Sequence, residues 1–247
     1  REIFQVAWPY TLSMATGFVV QAVDSTMVAP LGTTALAALS VAATSSFIPN
    51  AATMGLITSV QKRVAVANES EAVNRAVTTG FILAVVLALP FTLAFALFSK
   101  PIARLFATGE TAHLASNFLL IFCPSFVFSS LNQALNGYWI GVLKSKTRLL
   151  ITLAIAGMTV LGNLILTPRF GLSGVAASSA LAILGGFLLN LGLTIRMENY
   201  RWRNPRAQEL REDFQLIVGV SFHQLSLAFS LSAAIFIVGL IGVEALA

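Results

Sequence analysis

Seven long apolar runs, separated by short polar segments, restrict what this chain can fold into. Each run is long enough to cross the hydrocarbon core of a bilayer as a helix, which takes about 20 residues. Only 10% of the residues are charged, whereas a soluble domain carries about 25%. Because a membrane-spanning segment must satisfy its own backbone hydrogen bonds, the sequence predicts an all-α polytopic membrane protein. The runs are Phe4–Pro30, Thr34–Val60, Val77–Phe98, Leu114–Gly141, Leu149–Leu166, Leu172–Ile195 and Phe214–Ala247.

The basic residues between the runs predict the orientation of the helices. Twelve of the 15 Lys and Arg residues fall on the side of the membrane that holds Arg1, and Lys100, Arg104 and Arg169 fall on the other side. Positively charged loops mark the cytoplasmic side, so we expect a cytoplasmic N-terminus in a cell (plasma or inner) membrane. The same asymmetry accounts for the net charge of +5. We therefore expect the lipid bilayer, and no nucleic acid, as a partner.

Asp24 carries the one formal charge in the first apolar run. A charge at membrane depth is costly, and it is normally retained where it faces a protein interior or a water-filled path. There the carboxyl can be protonated or can bind a cation. The alternative is a structural Asp that hydrogen-bonds to the neighbouring Gln21 or Ser25. The rise of a helix places Asp24 roughly 9 Å from the outer end of its span, and we favour the functional interpretation.

Prolines and small residues predict how the helices bend and pack. Pro49, Pro90 and Pro124 lie inside apolar runs, where they produce either static kinks or bends that line a cavity or act as hinges. The GxxxG motif Gly137–Gly141 and the small residues of Gly174–Ala182 predict close contacts between helices.

The chain matches itself at an offset of 210 residues, where REIFQ at 1–5 aligns with REDFQ at 211–215. The seventh run then begins a second copy of a six-helix unit. Two such units in parallel are related by a pseudo-twofold axis along the membrane normal. We therefore expect a six-helix transmembrane bundle in residues 1–196 and a cytoplasmic linker in 197–213. Residues 214–247 are then the first helix of a truncated second lobe, whose remainder is absent from the chain. In this second copy Ala234 takes the place of Asp24.

Several short motifs follow one another along the chain. They are VDSTM at 23–27, TSVQKR at 58–63, EAVNRA at 71–76, ALNG at 134–137, KSKTR at 144–148, GNLIL at 162–166 and FGLSGVAA at 170–177. In order and spacing they resemble the multidrug and toxic compound extrusion (MATE) transporters, over essentially the whole chain. The resemblance implies a secondary active antiporter whose two six-helix lobes rock about a central cleft. It implies export of organic, mostly cationic drugs or toxic compounds in exchange for H⁺ or Na⁺, with no other cofactor.

The resemblance also implies candidate site residues. Asp24 matches the coupling carboxylate of the first lobe, Asn163 matches an Asn of the same pocket, and Ser179 matches a hydroxyl that sometimes joins them. Some members carry an Asp at the position of Thr167, and its absence here favours H⁺ slightly over Na⁺ bound at Asp24. On the residues alone, Asn163 and Thr167 share a helix face, and hydrogen bonding between helices is an equal alternative. Weaker candidates for lining the pocket are Tyr10, Gln21, Asn132 and Asn136.

Three other functions stay open at this point. A lipid-linked oligosaccharide flippase of the same superfamily would need basic residues in its cavity, and no Lys or Arg lies deep in a run. An intramembrane hydrolase would have to use Ser221 and His223, but residues two apart on a helix point in different directions. A structural membrane protein would leave Asp24 without a purpose. The sequence carries no phosphate-binding loop, metal cluster or dinucleotide fingerprint, so ATP-driven transport would need another subunit. We expect a transporter and no enzyme.

Overall fold

The computed structural model describes the backbone of residues 2–241 and the side chains of residues 8, 9 and 11–226. This part of the chain is helical and contains no strand, which confirms the all-α prediction. A short 3-10 turn, Ala29–Leu31, joins the first two helices. The α-helices are α1 (Glu2–Val28), α2 (Thr33–Thr53), α3 (Gly55–Val66), α4 (Ser70–Phe106), α5 (Gly109–Phe122), α6 (Ser125–Gly141), α7 (Ser145–Phe170), α8 (Leu172–Glu198) and α9 (Ala207–Ile241).

These helices account for six of the seven predicted spans. By length and apolar composition, five segments within the described residues can each cross a membrane, and the bent pair α5 and α6 makes a sixth. One of the five, Thr33–Val66, combines α2 and α3. The seventh predicted span begins within α9, but its last residues, 242–247, lie outside the described residues. Because α9 starts at Ala207, the irregular part of the predicted linker is limited to residues 199–206.

Proline accounts for two of the bends in the bundle. Helix α5 ends and α6 begins on either side of Cys123 and Pro124, and the two helices differ in direction by 53°. In α4 the backbone leaves helical geometry at Phe98 (φ −117°, ψ 21°). The ring of Pro101 crowds the carbonyl one turn earlier and offers no N–H to it, which explains a kink at this point. Around Pro90 the residues of α4 keep helical dihedral angles.

Glycines let the helices of this bundle approach one another closely. A side-chain carbon added at Gly137 would lie 2.5 Å from the carbonyl oxygen of Ile57 on α3. One added at Gly174 would lie 2.4 Å from the carbonyl oxygen of Leu166 on α7. Each glycine therefore places its own backbone against the backbone of a neighbouring helix. The close contacts predicted from the GxxxG motif and from Gly174–Ala182 are confirmed.

Ion pairs join the segments that the charge pattern assigns to the cytoplasmic side. Arg63 near the end of α3 contacts Asp213 (Nε to Oδ1, 2.6 Å) and Glu212 (3.1 Å) on α9. Lys144, just before α7, pairs with Glu198 at the end of α8. These contacts place Arg63 and Lys144 beside acidic residues of α9 and α8. The contacts of Arg63 also join the start of α9 to the preceding six-span unit.

Candidate functional site

A cavity of about 490 Å³ lies between α1, α2, α5, α7 and α8. Its wall is polar in places, although the helices around it are apolar in sequence. Of the described residues that line it, Asp24 alone carries a formal charge. The uncharged polar residues of the wall include Thr16, Gln21, Ser46, Asn50, Thr159 and Ser179.

Asp24 belongs to a chain of hydrogen bonds that joins three helices. The side-chain amide of Asn163 on α7 donates to Oδ1 of Asp24 at 2.5 Å. The hydroxyl of Ser178 on α8 donates in turn to Oδ1 of Asn163. Asn163 is fully buried, whereas Asp24 is half-buried and lines the cavity. The predicted pair of Asp24 and Asn163 is thus present, and the hydroxyl of Ser25 donates instead to the backbone carbonyl of Gln21.

Ser178, rather than the expected Ser179, completes this chain. Ser179 lines the cavity, but successive helical residues point about 100° apart, so only one of the two can face Asn163. The rotation of α8 is set by its contact with Gly162, where an added side-chain carbon would lie 2.7 Å from Cβ of Ser178. The glycine directly before Asn163 was the sequence signal for this contact, and it was missed.

Thr167 follows Asn163 by one turn of α7, as expected, but its position differs from the prediction. Its side chain is 6% exposed and is not among the residues that line the cavity. Its hydroxyl has no hydrogen-bond partner among the described residues. On α7, the contact with Asp24 is therefore made by Asn163.

Of the four weaker candidates for the pocket, one lines the cavity, two do not, and one lies outside the described side chains. Gln21 lines the cavity. Asn132 does not, because its side-chain oxygen accepts a hydrogen bond from Asn190 at 3.1 Å and so ties α6 to α8. Asn136 is also absent from the wall, and its side-chain oxygen is buried with no hydrogen-bond partner in the described part of the chain. The side chain of Tyr10 lies outside the described residues.

Three polar residues of α2 in the cavity wall, Ser40, Ser46 and Asn50, were missed in the sequence. Asn50 accepts a hydrogen bond from the hydroxyl of Ser129 at 3.2 Å, and its amide donates to the carbonyl of Ser46 at 3.0 Å. Both Ser46 and Asn50 line the cavity. Asn50 directly follows Pro49, and an amide next to a proline inside an apolar run was the available signal.

The residues considered for a hydrolase do not form a catalytic pair. The hydroxyl of Ser221 donates to the backbone carbonyl of Ala52 at 2.8 Å, and His223 is exposed. Among the residues that the structure describes, no group of three His, Cys, Asp or Glu side chains is placed to hold a metal ion. The geometry therefore offers no support for hydrolysis at this position.

A bundle of membrane-spanning helices around a polar cavity is the architecture expected of a membrane transporter. The MatE family model matches residues 9–168. The chain therefore belongs to the MatE family of transporters. No curated protein matches it.

Solved structures with the same fold are transporters of this kind. A MATE in complex with MaD3S is 20% identical to this chain, with a TM-score of 0.85. The match covers 96% of this chain and 55% of that one. An outward-facing multidrug resistance MATE of the MOP superfamily is 19% identical with a TM-score of 0.81. The match covers 96% of this chain and 54% of that one.

A third structure is a MOP superfamily transporter from Pyrococcus furiosus. Reverse polarity of its binding pocket is said to suggest a different function for that protein. It is 19% identical with a TM-score of 0.80, over 96% of this chain and 54% of that one. The chain thus spans about half the length of these three structures, and similarity at this identity shows the fold.

Proposed function

We propose that this chain forms the first lobe, and the first helix of the second lobe, of a secondary antiporter in the cell membrane. The transporter exports organic, mostly cationic compounds in exchange for H⁺ or Na⁺, and Asp24 is its coupling carboxylate. The observation that carries this proposal is the position of Asp24, which lines a polar cavity while the buried amide of Asn163 holds one of its oxygens.

A single carboxylate in the cavity can explain how the coupling ion is exchanged for the substrate. Burial favours the neutral form of a carboxyl group, and a nearby cation favours the charged form. The coupling ion and a cationic substrate therefore compete for the same negative charge, and binding of one promotes release of the other. Asn163 donates to the carboxylate without carrying a charge of its own, so it orients Asp24 without neutralising it.

The charge of the cavity supports a cationic substrate over a lipid-linked pyrophosphate. Among the described residues of its wall, Asp24 is acidic and no Lys or Arg is present. A cavity with this charge repels an anionic group and attracts a cation. A flippase for anionic lipid-linked sugars is therefore the weaker candidate.

The proposal is tested by Asp24→Asn in the complete two-lobe transporter, reconstituted into proteoliposomes. Efflux of a fluorescent organic cation is measured with a pH gradient and with a Na⁺ gradient, each imposed separately. We expect the variant to lose gradient-driven efflux, because Asn has nearly the same shape as Asp but cannot ionise. The gradient that drives the unsubstituted protein identifies the coupling ion.

Glu69→Gln provides the matched control, because it also removes one negative charge. Glu69 is exposed just before α4, and its side chain makes no capping hydrogen bond. We expect this variant to transport at the normal rate. Undiminished efflux by Asp24→Asn, or an equal loss in both variants, would exclude Asp24 as the coupling residue.

A further inference from the structure

A second cavity, of about 240 Å³, lies where α4 ends and α5 begins. The two helices form a hairpin across Ala107 and Thr108, so the last turns of α4 lie beside the first turns of α5. This end of α4 is remote from its first turns, where Arg75 pairs with Glu71. It therefore lies on the predicted non-cytoplasmic side. The residues that line this hairpin cavity are Lys100, Arg104, Gly109, Ala112, His113 and Ser116.

Positive charge converges on the hairpin cavity without a counter-charge in its described wall. Lys100 and Arg104 are one turn apart on α4 and share a face, and His113 faces them from α5. The ion pairs formed by the described residues use other basic side chains. Glu110 is exposed in the first turn of α5 and is not among the lining residues.

The start of α5 adds backbone donors to the same place. The first N–H groups of a helix have no acceptor within the helix, and the helix dipole makes this end positive. Thr108 precedes α5 without a side-chain capping bond, and Gly109, the first residue of the helix, lines the cavity. These N–H groups add to the attraction that Lys100 and Arg104 exert on an anion.

Exposed apolar side chains surround the two basic residues of α4. Leu97 and Leu105 are 74% and 80% exposed. Phe98 and Phe106 are about half exposed. The kink at Phe98 separates this last segment from the rest of α4. Basic residues among apolar ones are typical of the boundary between lipid headgroups and acyl chains. A free anion in water would need no such apolar surface.

We propose that the hairpin cavity binds the phosphate group of an anionic glycerophospholipid. Lys100 and Arg104 contact the phosphate, the backbone N–H groups at the start of α5 donate hydrogen bonds to one of its oxygens, and the acyl chains lie along Leu97 and Leu105. This site is separate from the cavity of Asp24 and does not depend on the coupling role proposed for it. Free phosphate has the same headgroup chemistry, so the test has to distinguish the two.

The test uses the delipidated protein in detergent and isothermal titration calorimetry with short-chain phosphatidylglycerol. Inorganic phosphate and short-chain phosphatidylcholine are titrated in parallel. We expect phosphatidylglycerol to bind more tightly than either. The double variant K100Q/R104Q should lose about tenfold or more in affinity, because it removes two charge-assisted contacts with the phosphate.

Arg169→Gln is the matched control, because Arg169 is an exposed basic residue at the end of α7 on the same predicted side. It should bind phosphatidylglycerol normally. Unchanged affinity of K100Q/R104Q for phosphatidylglycerol, or an equal loss of affinity in Arg169→Gln, would contradict the proposed site. Equal affinities for inorganic phosphate and phosphatidylglycerol would overturn the lipid as its ligand.

Discussion

Asn163 is the residue at which three helices of the lobe meet. Its amide donates to Asp24 on α1, and its oxygen accepts from Ser178 on α8. A carboxylate only accepts hydrogen bonds and a hydroxyl can donate, so these two contacts fix which way the Asn amide points. An Asp at this position would place a second negative charge against Asp24. An apolar residue would leave a hydroxyl and a carboxylate without their shared partner.

We predict that Asn163→Ala lowers gradient-driven efflux by about tenfold or more. A hydrogen bond to a charged group contributes about 1.5–3 kcal/mol, and 1.4 kcal/mol corresponds to a factor of about ten. The measurement is the initial rate of efflux per transporter molecule in proteoliposomes. Ser178→Ala should have a smaller effect, because Ser178 contacts Asn163 and not Asp24 in the described structure.

Asn190→Ala separates this role from a loss of folding. Asn190 is as fully buried as Asn163, and it accepts a hydrogen bond from the indole of Trp139 at 2.7 Å. It does not line the cavity of Asp24. We expect Asn190→Ala to reduce thermal stability while the rate per folded molecule is retained. Equal losses of rate in Asn163→Ala and Asn190→Ala would show that Asn163 is only structural.

At the scale of helices, several glycines lie directly against the backbone of a neighbouring helix. Gly137 and Gly141 face α3, where an added side-chain carbon would lie 2.5 Å from the Ile57 carbonyl oxygen and 2.8 Å from the Val64 side chain. The backbone of α3 also approaches Gly141, where an added carbon would lie 3.1 Å from the Gln61 carbonyl oxygen. Because the backbone approach at Gly137 is closer, Gly137 restricts the distance between α3 and α6 more strongly than Gly141 does.

We predict that Gly137→Ala destabilises the protein by about 1–3 kcal/mol through overpacking against α3. Gly157→Ala is the control, because an added carbon at Gly157 meets nothing within 4 Å. In a helix, replacing Gly by Ala stabilises by roughly 0.5–1 kcal/mol when there is room. The two substitutions should therefore shift the thermal unfolding midpoint in detergent in opposite directions. A stabilising Gly137→Ala would contradict the close contact.

Six of the seven spans and the close contacts between helices could be predicted because both depend on residue types along one segment. Apolar length predicted the spans, and the spacing of Gly137 and Gly141 predicted a contact. The rotation of a helix about its axis depends on the partner helix, which is why Ser179 was expected where Ser178 lies. Bends were only partly predictable. Pro124 lies at the break between α5 and α6, whereas α4 bends at Phe98 and stays helical around Pro90.

At the scale of the whole molecule, α9 is where the first six-span unit meets the start of the predicted second one. Helix α9 packs against α2 and α3. An added side-chain carbon at Gly55 would lie 2.5 Å from the carbonyl oxygen of Ile217. The internal repeat predicted that a helix begins here, but it could not predict this contact, because a repeat compares segments and does not say which ones touch. The ion pairs of Arg63 lie at the end of the same contact.

We predict that Arg63 and Asp213 stabilise the docking of α9 as a coupled pair. Asp213 is 5% exposed, so Arg63→Ala leaves a nearly buried carboxylate without its cationic partner. Breaking a fully buried pair costs about 3–5 kcal/mol. Because 24% of the Arg63 side chain is exposed, we expect a loss on the order of 2 kcal/mol. The double variant should be less destabilised than the sum of the two single variants, as measured by unfolding in detergent and by hydrogen exchange at the start of α9.

Lys144→Ala is the control for this prediction. The Lys144 side chain is 47% exposed where it pairs with Glu198, and an exposed ion pair contributes at most about 1 kcal/mol. Its removal should leave hydrogen exchange in α9 unchanged. Strictly additive effects of Arg63→Ala and Asp213→Ala would mean that the two side chains touch without stabilising one another. In that case other contacts of α9, among them the close approach of Ile217 to Gly55 and the hydrogen bond from Ser221 to the Ala52 carbonyl, would hold it in place.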